Sequence, residues 1–341
     1  MASFSGTVIN SYVQTLVDVA CKQGFPRTEI LRPLEKEKAF LDHPGKRLSM
    51  NLMTRLWQHT AKITSDPDLG LHVGEAIRPG AFHILAPVVM NCRTLNETIE
   101  MMVSYQSLVS EGGTLKSQTT EQGIKLIYTP GTYSLPMTRF QIECIFTGII
   151  TFANWLLNHR LSLIEVCFTH LITHKPDEYQ RLFNCPVYFS HAENSISISF
   201  DNLSLKIPHA DPELRKHHQE IADRFLTNRQ QKDQTIHELV ELMKSRPDSG
   251  QISLTQAAGF LNLTPRTLQR RLQKADTSFQ EIQNSIRMNQ AHDLLLSTDL
   301  AVSDISEHLG YLNSSSFHRR FKSWYGIPPH EYRQSILGSP Q

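Results

Sequence analysis

Two stretches near the C-terminus decide how this chain is read: Thr264-Pro-Arg-Thr-Leu-Gln-Arg-Arg-Leu272 and Gly310-Tyr-Leu-Asn-Ser-Ser-Ser-Phe-His-Arg-Arg-Phe-Lys322. Each stands behind a short apolar run at helical spacing. In the first copy Leu254, Ala257, Ala258 and Leu261 predict a short helix, and Asn262-Leu263 a turn. Thr264-Pro265 then supplies the cap and first position of a second helix, Pro265 to Lys274. In the second copy Val302, Ile305, Ser306 and Leu309 take the same places, Gly310-Tyr311 turns, and Ser314 to Tyr325 is the second helix. Leu268 and Leu272 recur as Phe317 and Phe321, 49 residues further on.

This is the grammar of a helix-turn-helix, twice. A small residue (Ala258, Ser306) lets two helices cross closely, and Asn or Gly at the turn tolerates positive φ. The second helix of such a unit projects and fits a DNA major groove about 12 Å wide. Helical spacing sorts its residues. In the first unit Leu268 and Leu272 face inward, while Arg266, Gln269, Arg270, Gln273 and Lys274 gather on another face. In the second, Phe317, Phe321 and Trp324 form the expected core stripe, and Ser314, Ser315, His318, Arg319 and Lys322 the outer one. Arg271 and Arg320 fall cleanly on neither face. Both helices lack Asp and Glu altogether. Arg266, Gln269, Arg270, His318 and Arg319 are the expected base readers, since Arg suits guanine and Gln adenine; Lys274 and Lys322 suit phosphate. The bland alternative, two solvated faces, has to produce acid-free faces in duplicate behind matching turns.

Between the copies, Ser278-x-x-Glu281 is a capping box that opens a helix to Leu296, with Ile282, Ile286, Ala291, Leu294 and Leu295 as its apolar positions. About 19 residues at 1.5 Å each span roughly 28 Å. That length can hold two reading helices near one DNA turn, about 34 Å, apart.

Working outward, Thr227-Asn-Arg-Gln-Gln-Lys-Asp-Gln234 contains no apolar residue and is the expected boundary between a first domain, 1–228, and a second, 229–341. A helix is expected to begin at Asp211-Pro212, dissolve in that run, and be followed by another over Thr235–Lys244. The first domain reads as mixed α and β. Helices are expected over Ile9–Ala20, around Leu52–Ile63, from an Asn96 cap to Leu108, over Met137–Leu157 and over Asp177–Phe183. Gly113–Gln118 and Ile124–Tyr128 predict a hairpin, with strands at Val166–Leu171, Val187–Ser190 and Ser195–Phe200. Gly70-Leu-His-Val-Gly74 reads as a turn. The expected architecture is therefore an α+β domain, a small sheet with several helices, followed by an all-α domain with two helix-turn-helix units.

Composition narrows the function classes. Hydrophobic residues make up 40% and charged residues 20% of the 341, which excludes a disordered chain and fits two domains. Met137–Leu157 carries Arg139, Gln141, Glu143 and Asn154, too polar for a membrane span. The start lacks the basic stretch and apolar core of a secretory signal, and five scattered cysteines form no C-x-x-C pair; a cytoplasmic protein without disulfides is expected. The formal charge of +1 is not that of an obvious nucleic-acid binder. Even residues 245–341 hold ten Lys/Arg against eight Asp/Glu.

Residues 235–337 resemble the DNA-binding domain of the AraC/XylS family of bacterial transcription regulators. The resemblance lies in the Gly310–Lys322 run, in Gly326-Ile-Pro-Pro-His-Glu-Tyr-Arg333, and in Thr264–Leu272. Asn262 stands where Gly is usual, Ser306 where Ala is usual, and Pro328 where Ser or Thr usually precedes the Pro, which changes the cap of the last short helix. The first ~225 residues are similar, more loosely, to the arabinose-binding-type sensor region of a subgroup of that family. Val166-Cys-Phe-Thr-His, Asp177–Phe183 with Val187-Tyr-Phe, and Ile196–Leu203 before Ile207-Pro-His-Ala-Asp-Pro-Glu-Leu carry that similarity. The resemblance implies double-stranded promoter DNA, a small organic or fatty-acid-like effector and RNA polymerase as partners, allows a homodimer, and favours activation.

Other classes fare worse. His170 and His174 are spaced i, i+4, but His170 ends an expected strand and Pro176 follows, so they need not share a helical face; His217-His218 point apart on a helix, and no H-E-x-x-H or Cys/His cluster occurs, so no metal or cofactor is expected. The glycine-rich phosphate loops and Gly-x-Ser-x-Gly are absent, so an enzyme fused to a DNA-binding tail is the weaker reading. An architectural DNA binder without sequence preference has no use for Gln269 and Gln273.

Overall fold

The computed structural model describes residues 6–35, 43, 45–132, 135–172, 176–245, 252–274, 277–311, 313–325 and 327–337. They divide into two compact units, Met1–Leu226 and Thr227–Gln341.

The first unit opens with strand β1 (Thr7–Ile9), helices α1 (Asn10–Lys22) and α2 (Arg27–Ile30), and strand β2 (Arg47–Ser49), which pairs antiparallel with β1. Helices α3 (Met50–Thr64), α4 (Leu69–Glu75), α5 (Leu85–Met90) and α6 (Leu95–Val109) follow. Then come the hairpin β3 (Gly113–Thr119) and β4 (Gly123–Pro130), helix α7 (Arg139–Leu157), strand β5 (Leu163–Cys167), helix α8 (Asp177–Phe183), and strands β6 (Val187–Tyr188) and β7 (Asn194–Ser199). Helix α9 (Phe200–Leu203) closes the sheet region, and α10 runs from Pro212 to Lys244. The sheet order is β3-β4-β7-β5-β6, antiparallel except for the parallel β5–β6 pair. This is the mixed α and β unit that the sequence implies, with β5 set three to four residues earlier than expected.

Helix α7 is the spine of this unit. Thr138 and Gln141 form a capping box at its start, and Ile142, Cys144, Phe146, Ile150 and Phe152 are buried along it. It is long and apolar enough to cross a membrane, but nearly three-quarters of it is buried within the unit, as a core helix would be. Burial pushes the Cys144 thiol up to about 12. Glu143, fully buried on the same helix, accepts from Tyr179 Oη and Arg139 Nη1, both at 2.7 Å. A buried carboxylate persists only where such donors replace water. Burial, then the neighbouring carboxylate, push the Tyr179 phenol far up, so it stays the donor.

Four expectations are corrected. Gly70 and Gly74 do not turn the chain; they lie in α4, packed against α7. A Cβ on Gly70 would come within 2.4 Å of the Phe140 carbonyl oxygen, and one on Gly74 within 2.5 Å of Thr147 Cβ. The glycines let two helix backbones approach. Thr94, not Asn96, caps α6, accepting from the Glu97 N–H at 3.3 Å while Glu97 accepts from the Arg93 N–H. The polar run 227–234 is helical, inside α10, because Gln, Lys and Arg are good helix formers whatever their polarity. Asp211 caps α10 as expected, with Oδ1 accepting from the Glu213 and Leu214 N–H groups. The fourth correction, in the core stripe of the last long helix, belongs with the second unit below.

Gly70→Ala should destabilise the first unit by about 1–3 kcal/mol, the usual cost of forced overpacking. Thermal unfolding of the full chain reads this out. An unchanged Tm would show that α4 does not lie against α7.

Candidate nucleic-acid interface and apolar cavity

Past α10 the second unit is helical throughout its described residues: α11 (Leu254–Phe260), α12 (Pro265–Lys274), α13 (Phe279–Ser297), α14 (Val302–His308), α15 (Ser314–Tyr325) and α16 (Pro329–Leu337). Capping boxes open α11 (Ser253, Gln256) and α13 (Ser278, Glu281).

The two turns are the same structure. The Leu263 N–H donates to Ala258 O at 2.8 Å and the Asn262 N–H to Gly259 O at 3.1 Å. Forty-eight residues on, the Tyr311 N–H donates to Ser306 O at 3.1 Å and the Gly310 N–H to Glu307 O at 2.9 Å. Both are the paired bonds of a Schellman C-cap, which requires a left-handed residue at the first position past the cap. Asn262 (φ 54°) and Gly310 (φ 74°) take that conformation. The helices that follow are offset by 49 residues rather than 48. Thr264 caps α12, its Oγ1 accepting from the Thr267 N–H at 3.1 Å, and Asn313 caps α15, its Oδ1 accepting from the Ser316 N–H at 2.8 Å. The second turn is therefore one residue longer.

Ala257, Ala258, Leu268 and Leu272 are buried in the first helix-turn-helix, and Ile305, Ser306, Phe317 and Phe321 in the second. The stripe on α15 is completed by Tyr325, 7% exposed, while Trp324 is only partly buried, which corrects the sequence expectation. Tyr325 sits in an aromatic stack: its ring lies 4.5 Å from Phe321 and 4.9 Å from Tyr332, and its hydroxyl donates to Met288 O at 3.1 Å. Tyr332, whose phenol is pushed up by burial, anchors α16, and its N–H donates to Pro328 O at 2.9 Å. The unusual Pro328 thus still opens the last helix through its carbonyl. Helix α13 joins the two halves: Gln283 Nε2 donates to Ile252 O at 3.0 Å ahead of α11, whereas Met288, Ala291 and Leu295 belong to the cluster under α15. Arg333, part of the sequence signature, donates to Leu295 O and Thr298 O at the C-terminal end of α13. Its place is structural.

With the inward faces fixed, the outward ones follow. On α12 Arg266, Gln269, Arg270 and Gln273 are exposed; Lys274 closes the helix, but its side chain lies outside the described residues. On α15 Ser315, Arg319 and Lys322 are exposed, while Ser314 and His318 are half-buried, His318 edge-on to Phe317 at 6.0 Å. Arg271 and Arg320, which spacing left unassigned, are exposed as well, so each basic face is broader than the sequence implied. Arg287 of α13 lies over the Tyr311 ring at 5.3 Å, bringing a further guanidinium beside the second turn. Nothing in the periodicity of α13 singled it out.

The first unit holds a cavity of about 100 Å³, several times the ~10–15 Å³ needed for one water centre. Tyr12 of α1, Met53 and Trp57 of α3, Met102 and Gln106 of α6, Leu115 of β3, Tyr128 of β4 and Ile145 of α7 contribute to its wall. Among the described residues, none that lines it is charged. Among the described residues, no group of His, Cys, Asp and Glu is placed to hold a metal ion; His174 lies outside them.

Comparison with known proteins places this geometry. The family model of the arabinose-binding domain of AraC transcription regulators, N-terminal, matches residues 24–207, and a helix-turn-helix domain model matches 257–335. Along most of its length the chain is similar to an HTH-type transcriptional regulator of Mycobacterium tuberculosis, 27% identical over 94% of both chains. It is also similar to the ornithine utilization regulator of Pseudomonas aeruginosa, 23% identical over 95% of this chain and 96% of that one. Among solved structures, the transcriptional regulator CdpR of Pseudomonas aeruginosa aligns over 89% of this chain and 97% of its own, at 19% identity and a TM-score of 0.43. The fold and the duplicated turn define a helix-turn-helix DNA-binding transcription regulator. The chain belongs to the AraC family of these bacterial regulators.

Two substitutions test the turns. Ser306 is buried and its hydroxyl has no hydrogen-bond partner among the described residues, so Ser306→Ala should stabilise the chain by about 1 kcal/mol. Asn262→Ala should cost about 1–2 kcal/mol, the left-handed penalty of a residue with Cβ and no compensating polar group. Denaturant unfolding of the full chain measures both; the opposite sign in either contradicts the assigned turn.

Proposed function

We propose that this protein is a cytoplasmic, effector-controlled regulator that reads promoter DNA with α12 and α15 of one chain and has no catalytic role. The observation that carries the reading is the duplicated turn followed in each copy by an acid-free helix with an exposed basic face. Arg266, Gln269, Arg270, His318 and Arg319 contact bases in this reading, with Ser314 and Ser315 at the N-terminal end of α15, where backbone N–H groups and the helix dipole favour phosphate. Lys274 and Lys322 hold phosphates. Residues 1–228 are the sensor domain and 229–341 the DNA-binding domain, and an organic effector with substantial apolar surface occupies the cavity of the first. Its binding shifts the population of sensor conformations and thereby the DNA-bound state. Activation through RNA polymerase is the sense favoured by family membership, with a homodimer as the assembly to be tested.

Arg270→Ala should weaken binding to the promoter site by about 1–3 kcal/mol and relax preference at one base pair. Lys322→Ala should weaken binding to every sequence and lower the salt slope by about 1. Titrations of both variants across a salt series on promoter and random DNA check this. An unaltered footprint and affinity in Arg270→Ala would show that α12 presents another face, and equal wild-type affinity for the two DNAs would remove the regulator's specificity.

A further inference from the structure

Two arginines stand at the same place in both copies of the helix-turn-helix and have no part in the function proposed above. Arg271 follows Arg270 on α12, and 49 residues on Arg320 follows Arg319 on α15. Each precedes a buried residue of the core stripe, Leu272 or Phe321, yet both arginines are exposed.

The buried stripes fix the direction that spacing alone leaves open. An α-helix turns about 100° per residue. Arg270 stands opposite the Leu268–Leu272 stripe of α12, and Arg319 opposite the Phe317–Phe321 stripe of α15. Gln269 and His318 lie about 100° to one side of that outermost line, and Arg271 and Arg320 about 100° to the other. Arg266 and Gln273 extend the first face towards Gln269, and Ser315 and Lys322 extend the second towards His318. Both faces are therefore lopsided in the same sense, with Arg271 and Arg320 on the flank left over. In the second copy this flank is the one beside the turn: burial pushes the Tyr311 phenol up, and the charges of Arg287 and Arg320 pull it back.

A helix with its side chains is about 10–12 Å across, and the major groove is about 12 Å wide and 8.5 Å deep. An inserted helix thus meets base edges along its outermost line and the sugar-phosphate walls along its flanks. Contacts to those walls fix register and carry no sequence information. A planar guanidinium suits them, since it can pair with two phosphate oxygens at once.

We infer that Arg271 and Arg320 hold phosphates of the groove wall, one in each of the two DNA segments, as a duplicated clamp that seats α12 and α15 whatever the base sequence. This rests on the reading of α12 and α15 as the helices that enter the groove, and adds to each the residue that sets its register.

The test uses the full-length chain and two short duplexes, one rich in A·T and one in G·C, titrated across a salt series. One phosphate contact contributes about 0.9 to the slope of log affinity against log salt, or about eightfold for each tenfold change in salt. Arg271→Gln and Arg320→Gln should each lower the slope by about 0.9 and weaken both duplexes alike at low salt, and the double variant should lose about twice as much slope. Arg271→Lys and Arg320→Lys keep the charge and should keep most of the slope. Lys216→Gln removes the same charge from an exposed position on α10 and sets the baseline for bulk charge, while thermal unfolding checks that each variant is folded. Slopes no lower than that of Lys216→Gln overturn the inference and leave the DNA-binding reading standing. A loss confined to one duplex makes the arginine a base reader and overturns it as well, and a loss in only one of the two variants overturns the duplication. Wild-type protein that binds neither duplex overturns the inference together with the reading of α12 and α15.

Discussion

Two backbone hydrogen bonds, from the Leu263 N–H to Ala258 O and from the Tyr311 N–H to Ser306 O, organise the DNA-binding unit. Each closes a helix end only because the preceding residue is left-handed, a conformation Gly310 adopts freely and Asn262 adopts with little strain. The bond reverses the chain within a few residues and brings the next helix against the one just finished. Small side chains at Ala258 and Ser306 keep that crossing close. Once Leu268, Leu272, Phe317 and Phe321 are buried beneath it, the remaining faces of α12 and α15 have only solvent or a ligand to meet. The basic faces are a consequence of the turn.

Bulk charge says little about such a protein. A chain of net charge +1 carries two acid-free helices because its acids are kept on the scaffold, as with Glu281 in a capping box and Glu143 beneath Arg139 and Tyr179. Basic residues confined to two helices of a nearly neutral chain give modest sequence-independent attraction, and in the proposed function leave more of the selection to base contacts. The one-residue longer second turn and the partial burial of His318 make the two faces unequal. Identical half-sites are therefore not the expected target.

The features legible in the sequence are those set by neighbours in the chain. The two turns, the capping box at Ser278, the hairpin of β3 and β4, and the buried stripe of Leu268 and Leu272 all follow from spacing and local chemistry. What escaped depends on partners far along the chain. Gly70 and Gly74 look like turn residues until α7, some seventy residues later, is laid against them. Trp324 and Tyr325 compete for one stripe, and the buried place goes to the residue that reaches Phe321, Tyr332 and the Met288 carbonyl. Arg271 and Arg320 sit at the margin of a helical wheel, where periodicity assigns no side. The cavity escaped entirely, because its wall comes from many elements and none of them carries a motif.

In the function proposed above, a single chain reads two successive segments of one DNA face with α12 and α15, helices joined by the 19-residue α13. The direct measurement is a footprint on the promoter site and on a version with five base pairs, half a helical turn, inserted between the two protected segments. Wild-type protein should protect both segments on the native spacing, and the insertion should abolish protection of one and weaken binding sharply. Equal protection and affinity on both spacings would contradict a rigidly paired reader.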